Sequence, residues 1–424
     1  MLYDSTGGAS WTTPWNLNQS MDTWSGITLT NGRVEQVVLT SKNLVGTIPD
    51  LNLQACIVFS LYANSGVTGG IPNFSNLSSL VNLDLRYCSL LGAIPNFSNM
   101  PNIEVLDLYG NNLSGTIPDF GSCNNLIAIY IFDNNLSGSI PDFNLPNLYD
   151  LQVYDNNLSG SIPTFTNAPL LRKLYLHKNN LNGSIPTFTN LSALQELFVM
   201  ENNLSGIIPD LSQLPSFAQM GISKNMFSFD DFLPNFDSLN TNLTYFGYSP
   251  QDSIGTAATV NQAIGSNYTI DLVVDDTVTS NVYKWYKGGV LHTTINGNNE
   301  LSFTNLQAAD AGIYTCEVTN PNIPNLTLNS RPIMINVGAT GVEKVQGATL
   351  VVAPNPVQDI LTVQSNTTEV ATIQIINTAG QILKVWEGQG QLGYTLDISS
   401  YPAGMYIVEL TTAQQKLTKK IIKQ

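Results

Sequence analysis

A fixed period constrains this chain more than any other feature. Prolines at Pro49, Pro72, Pro95, Pro118, Pro141, Pro163, Pro186 and Pro209 lie 23, 23, 23, 23, 22, 23 and 23 residues apart. Each closes the same unit, read most cleanly as Asn-Asn-Leu-Ser-Gly-x-Ile-Pro at residues 111–118, 134–141, 156–163 and 202–209. A unit of this length cannot bury its own apolar face, so successive units must stack into a solenoid. The composition allows it: 43% of the residues are hydrophobic and only 11% are charged, which provides packed cores and excludes a disordered chain.

Extended backwards, the unit reads Leu-x-x-Leu-x-Leu-x-x-Asn, as in Leu148, Leu151, Val153, Asn156 and again in Leu171, Leu174, Leu176, Asn179. Alternate apolar residues of a short strand point inward, and the Asn turns in beneath the strand to pair backbone groups that the bend leaves open. Carried along the chain, this Asn column reads Lys42, Ser65, Cys88, Asn111, Asn134, Asn156, Asn179, Asn202 and Asn225, giving about nine coils over residues 31–247. The pattern resembles the leucine-rich repeat, and its Ser-Gly-x-Ile-Pro tail resembles the plant-type subclass. Residues 1–30, with Trp11, Trp15 and Trp24, resemble the aromatic cap that precedes such repeats in secreted proteins. That resemblance implies further residues upstream of Met1, since no basic and apolar signal peptide is present in this chain.

A net charge of −15 and a pI of about 4.3 repel phosphate backbones and anionic lipid, so nucleic acid is excluded as a partner. With no apolar run of about 18 residues, no transmembrane segment is expected. The four cysteines, Cys56, Cys88, Cys123 and Cys316, are too scattered for a disulfide framework.

From residue 248 to 338 the periodicity changes to short alternating strands. Trp285 in Tyr-Lys-Trp-Tyr, and Tyr314 two residues before Cys316, resemble strands C and F of an immunoglobulin-like sandwich. The segment at residues 268–274 that matches strand B has no Cys, so Cys316 is expected to be a buried free thiol. A linker at residues 339–349 leads to residues 350–424, where alternating runs broken by Gly and Pro predict a small β-sandwich. Pro354, Asn355, Pro356, Asp359, Gly380, Gly404, Tyr406, Lys419 and Lys420 resemble, in order and spacing, the C-terminal sorting domain of the bacterial type IX secretion system. The resemblance implies a secreted or cell-surface protein and the type IX machinery as a partner. Lys416, Lys419, Lys420 and Lys423 form a basic end suited to docking. The expected fold class is therefore mainly β: a solenoid, an immunoglobulin-like sandwich and a small C-terminal sandwich.

Catalysis finds no support. Two histidines, His177 and His292, fall in different segments, and no nucleophile triad, zinc motif, phosphate loop or dinucleotide fingerprint is present, so neither an enzyme nor a cofactor is expected. Binding is better placed. The outward positions of the repeat strand form two columns: Val38, Leu61, Asp84, Asp107, Tyr130, Gln152, Tyr175, Phe198, Gly221, and Thr40, Ala63, Arg86, Tyr109, Phe132, Tyr154, His177, Met200, Ser223. With strands about 4.8 Å apart, Tyr109, Tyr130, Phe132, Tyr154, Tyr175, His177 and Phe198 make one concave platform. Soluble proteins rarely expose such a patch without a use. Standing outside the core, these rings should cost little stability on removal. Two carboxylate pairs, Asp84 with Asp107 and Asp133 with Asp155, stack on adjacent coils and call for cations, Arg86 and Lys178 or a Ca²⁺ ion. The expected function is adhesion or recognition of an extracellular glycan or protein. Inhibition of a secreted hydrolase is the alternative, since the repeats resemble plant polygalacturonase-inhibiting proteins. A minor alternative is ice binding through Thr164, Thr166, Thr187 and Thr189 on the opposite side.

Overall fold

The structure, a computed structural model, describes residues 1–272, 277–338, 350–365, 370–378, 380–388, 391–412 and 416–424. The chain divides into two compact units, Met1–Gly338 and Ala339–Gln424. The linker expected at residues 339–349 lies outside the described residues, as do Val273 and Val274.

In the first unit, an antiparallel hairpin of Ile27–Thr30 and Arg33–Val38 opens an 11-stranded sheet whose remaining strands are parallel, one per coil, ending at Tyr245–Gly247. A second sheet of eight short strands, from Val45–Thr47 to Asn203–Leu204, runs along another side of the coils. Its later strands come from the Asn-Leu-Ser-Gly stretches and their Asn-Leu-Asn-Gly variant, in which the Leu is buried between exposed neighbours. Gly115, Gly138, Gly160, Gly183 and Gly206 turn there with φ between 77° and 85°, a conformation that only Gly adopts without strain. A further column, Phe74, Phe97, Phe120, Phe143, Phe165 and Phe188, is buried throughout, with consecutive rings from Phe97 to Phe165 stacked 6.2–6.4 Å apart.

The Asn column works as a ladder. Asn156 Nδ2 donates to the carbonyls of Ile131, Val153 and Tyr154 at 3.1–3.2 Å, while its Oδ1 accepts from Leu136 N at 2.9 Å. Asn111, Asn134, Asn179, Asn202 and Asn225 repeat the arrangement. One position is corrected. Asn64, not Ser65, holds the second coil, bonding Leu39 O, Leu61 O, Lys42 N and Leu44 N. The strand pairing explains why: Val38 pairs with Ser60 and Ser60 with Asp84, so this coil is one residue short and the next one long. The outward residues are consequently Ser60 and Tyr62. Leu61, expected outside, is fully buried, and Ala63 moves to the turn. In the third coil Cys88 takes the Asn place, its Sγ 3.4 Å from Leu61 O.

Both ends are closed by aromatic residues. At the first coil Trp15 stacks on Trp24 at 4.8 Å, and the indole N–H of Trp11 donates to Thr6 O. At the last, Phe227, Phe229, Phe232 and Phe236 are buried around the short helices Phe229–Phe232 and Phe236–Asn242. A β-domain follows without a break in the core: Tyr248 Oη donates to Pro324 O at 2.6 Å and Ser249 Oγ to Asn325 O at 2.9 Å. In it, Val282–Lys287 pairs with Gly312–Asn320, which sets Trp285 opposite Cys316, and Tyr314 Oη donates to Asp310 O at 2.7 Å. All four cysteines are buried free thiols.

The second unit has its own core and two sheets, Leu350–Ala353, Ile360–Ser365 and Gly393–Asp397 in one, Val370–Asn377, Ile382–Glu387, Gly404–Thr412 and Lys416–Lys423 in the other.

Candidate binding face

The repeat strand carries its leucines inward because alternate residues of a strand face opposite ways, and in-register parallel pairing then lines up like positions on neighbouring coils. The outermost column thereby becomes a ring ladder. Tyr109 stacks on Phe132 at 4.1 Å and 14°, Phe132 on Tyr154 at 4.3 Å and 10°, and Tyr154 on His177 at 4.2 Å and 11°. Ring planes therefore stand across the solenoid axis with their faces against one another. What the ladder shows to solvent is a strip of half-buried ring edges.

These rings are not loose surface groups, contrary to the sequence expectation. Each inner ring has a stacked neighbour on both sides, and such pairs contribute about 0.5–1.5 kcal/mol each beyond their buried area. Burial raises the Tyr154 hydroxyl to about 12, and it lowers His177, whose buried Nδ1 has no hydrogen-bond partner among the described residues, so the imidazole sits neutral in the stack.

The inner column behaves differently. Tyr130 Oη donates to Asp150 Oδ2 at 3.1 Å, and Tyr175 Oη donates to Glu196, in each case the acid of the next coil. Burial first, and then the neighbouring acid, raises the pKa of Tyr130; for Tyr175 burial and the bond to Glu196 act the same way. Phe198 meets Tyr175 edge-on at 5.0 Å and Tyr245 at 6.0 Å. All seven aromatics predicted from sequence thus lie on one face. Sequence reading missed Tyr62, Tyr87 and Tyr245. Tyr87 meets Tyr109 edge-on at 5.1 Å, and the Arg86 guanidinium lies 4.4 Å over the Tyr62 ring. Tyr62 was hidden by the one-residue slip in the second coil, although Leu61-Tyr62-Ala63-Asn64 mirrors Leu108-Tyr109-Gly110-Asn111.

In each carboxylate pair one member has a cation beside it. Arg86 Nε lies 3.2 Å from Asp84 Oδ1, without hydrogen-bond geometry, and donates from Nη1 to Tyr109 Oη at 3.1 Å. Lys178 Nζ lies 3.4 Å from Asp155. Asp107 is left over: burial and the nearby Asp84 push its carboxyl up to about 6, despite Arg86. Among the described residues no group of three or more His, Cys, Asp or Glu is arranged to hold a metal ion.

In the second unit two of the sorting-motif residues, Asn355 and Asp359, hold the last strand through their side chains. Asn355 donates to Lys420 O and accepts from Ile422 N, and Asp359 pairs with Lys423 at 3.3 Å. Tyr406 Oη donates to Pro402 O, Gly404 opens its strand, and Gly380 turns at φ 80°. Lys423 is buried in its ion pair and Lys416 pairs with Glu409, whereas Lys419 and Lys420 are exposed. The basic end is smaller than four free charges.

Residues 351–424 match the family described as the secretion system C-terminal sorting domain. This tail marks the protein for type IX export to the cell surface or the exterior. Residues 102–123 match the leucine-rich repeat. No curated protein matches the chain. Among solved structures the chain is similar to a plant ice-binding protein, at 23% identity over 61% of this chain and 86% of that one with a TM-score of 0.50. It is similar to Listeria monocytogenes InlP at 24% identity, covering 67% and 82% with a TM-score of 0.43. A third likeness is to the plant peptide hormone receptor RGFR1 in complex with RGF2, at 28% identity, 51% and 41% coverage and a TM-score of 0.40, so the match spans less than half of that receptor chain. The first of these establishes the solenoid fold, and none establishes a ligand. No helix among the described residues is long and apolar enough to cross a membrane.

Proposed function

We propose that the chain is an exported, non-enzymatic recognition module that binds a protein ligand across the concave face, with residues 248–338 as an immunoglobulin-like spacer. One observation carries the choice of protein over glycan: the ladder rings spend their faces on each other. Sugars stack on open ring faces, whereas a rigid strip of ring edges flanked by acids suits the anchoring side chains of a polypeptide. A secreted hydrolase is one such polypeptide. The spacer reading is supported by Trp285 beside Cys316 and by the Tyr314 hydroxyl bond to Asp310 O. The full chain, challenged in parallel with extracellular proteins and a glycan array, should retain a protein ligand that Phe132→Ala releases; glycan hits alone would overturn the proposal.

A second reading has its own observation. The eight-strand sheet presents ordered ranks of exposed polar groups, Asn135, Ser137, Ser139 on one coil and Asn157, Ser159, Ser161 on the next, on a fold shared with a plant ice-binding protein. The Thr pairs flanking Phe165 and Phe188 are exposed as well. Leu91 and Ile207 interrupt the ranks, which weighs against ice. A freezing-point gap in solutions of the chain, abolished by Ser159→Tyr, would favour this reading.

A further inference from the structure

We infer that the ligand of the concave face delivers a cationic side chain, lysine or arginine, to a seat formed by Asp84 and Asp107. The inference rests on the concave reading above and names the chemistry of its ligand.

Asp84 and Asp107 are paired directly across adjacent parallel strands and are only 8% and 9% exposed. Two carboxylates set opposite each other and stripped of water destabilise the fold unless positive charge answers both. Asp84 is answered: Ser60 Oγ donates to it at 3.0 Å and Arg86 lies beside it. Asp107 is answered only in part: Arg86 acts on it through space, but its buried Oδ1 has, among the described residues, no hydrogen-bond partner.

The repeat lattice shows what is missing. In the same column, Tyr130 reaches the acid Asp150 on the next coil and Tyr175 reaches Glu196. The residue that stands to Asp107 as Asp150 stands to Tyr130 is Ala128, whose methyl group offers no donor. Asn82, two residues before Asp84, also has a buried Oδ1 without a hydrogen-bond partner among the described residues. Among the described residues, the floor beside Tyr109 thus holds two unmet acceptors against one unmet donor, Arg86 Nε, which lies beside Asp84. Arg86 is the cation beside it, and its guanidinium is already engaged by Asp84, the Tyr109 hydroxyl and the Tyr62 ring. A buried carboxylate short of hydrogen-bond donors on a concave sheet marks a candidate ligand site with a stated requirement. Here the requirement is N–H donors carrying positive charge. An ammonium or guanidinium satisfies it, and aromatic edges alongside accommodate the apolar stem of such a side chain.

The test is selection of a random library of short peptides on the immobilised full chain, repeated with Asp107→Asn, Phe132→Ala and Asp142→Asn. Asp142 is an exposed acid outside the concave columns, so its variant removes the same charge elsewhere. Wild type and Asp142→Asn should enrich Lys- or Arg-bearing peptides, which Asp107→Asn should bind at least tenfold more weakly and Phe132→Ala should also weaken. Thermal melting of Asp107→Asn should be equal to or above wild type, which separates a lost seat from a lost fold. Peptides without basic residues that still depend on Phe132 would overturn the cationic seat and leave the concave face standing. Peptides indifferent to Phe132, or no enrichment at all, would overturn both.

Discussion

Replacing Asn156 by Ala removes four hydrogen bonds at one stroke. Leu136 N loses its acceptor at 2.9 Å, and the carbonyls of Ile131, Val153 and Tyr154 lose a donor at 3.1–3.2 Å. Leu136, Ile131 and Val153 are all fully buried, so water cannot replace the bonds without opening the coil. Ile131 O keeps Asn134 Nδ2, Val153 O keeps Asn179 Nδ2 and Tyr154 O keeps Asp133 N, so Leu136 N is the group left unmet, and the loss should be about 1–3 kcal/mol. Asn156→Asp keeps the acceptor for Leu136 N but turns an anion toward three carbonyl oxygens, and should cost at least as much. Asn157, its neighbour, faces out on the second sheet, and Asn157→Ala should stay within about 0.5 kcal/mol. Urea unfolding followed by circular dichroism reads all three. Equal midpoints for Asn156→Ala and Asn157→Ala would mean that the ladder does not hold the coils as described.

Asp107 should also show itself through pH. Its folded pKa, about 6, lies above the ordinary carboxyl value, so the folded state binds the proton more tightly and loses stability as pH rises from about 4 to 7. Discounted for screening, the effect is on the order of 1 to 2 kcal/mol at neutral pH; the melting advantage of Asp107→Asn should therefore widen between pH 4 and 7, and an advantage independent of pH would contradict the assignment. Burial raises the Cys316 thiol to about 12, so thiol titration should leave it unreactive in the native chain and fully reactive in denaturant without reductant. Residues 345–424, fused behind a signal peptide to a fluorescent protein, should leave a bacterium that has type IX secretion; periplasmic retention would contradict the sorting role.

The period of the prolines reported the solenoid, because a coil that must stack repeats its inward residues and its Asn at the same spacing. Where the chain compensates one short coil with one long, the proline count stays even and hides the shift, and so Asn64 and Tyr62 escaped while Asn111 and Tyr109 did not. Column membership was readable; the orientation of the rings within a column was not. That Tyr109, Phe132, Tyr154 and His177 lie face to face depends on side-chain torsions that a repeat spacing does not encode. Likewise Lys423 reads as one more charge of a basic tail until Asp359, 64 residues earlier, is seen to pair with it. Local periodicity is written in sequence, whereas pairings between distant segments emerge only from the fold.

Affinity of the isolated protein ligand for three forms of the full chain, wild type, Phe132→Ala and Ser159→Ala, decides whether the concave ladder is the recognition surface. An anchoring ring at such a site contributes about 2 kcal/mol or more, so Phe132→Ala should weaken binding roughly thirtyfold, while Ser159→Ala on the second sheet leaves it unchanged. Undiminished affinity in Phe132→Ala, or a loss only in Ser159→Ala, would place recognition elsewhere on the molecule.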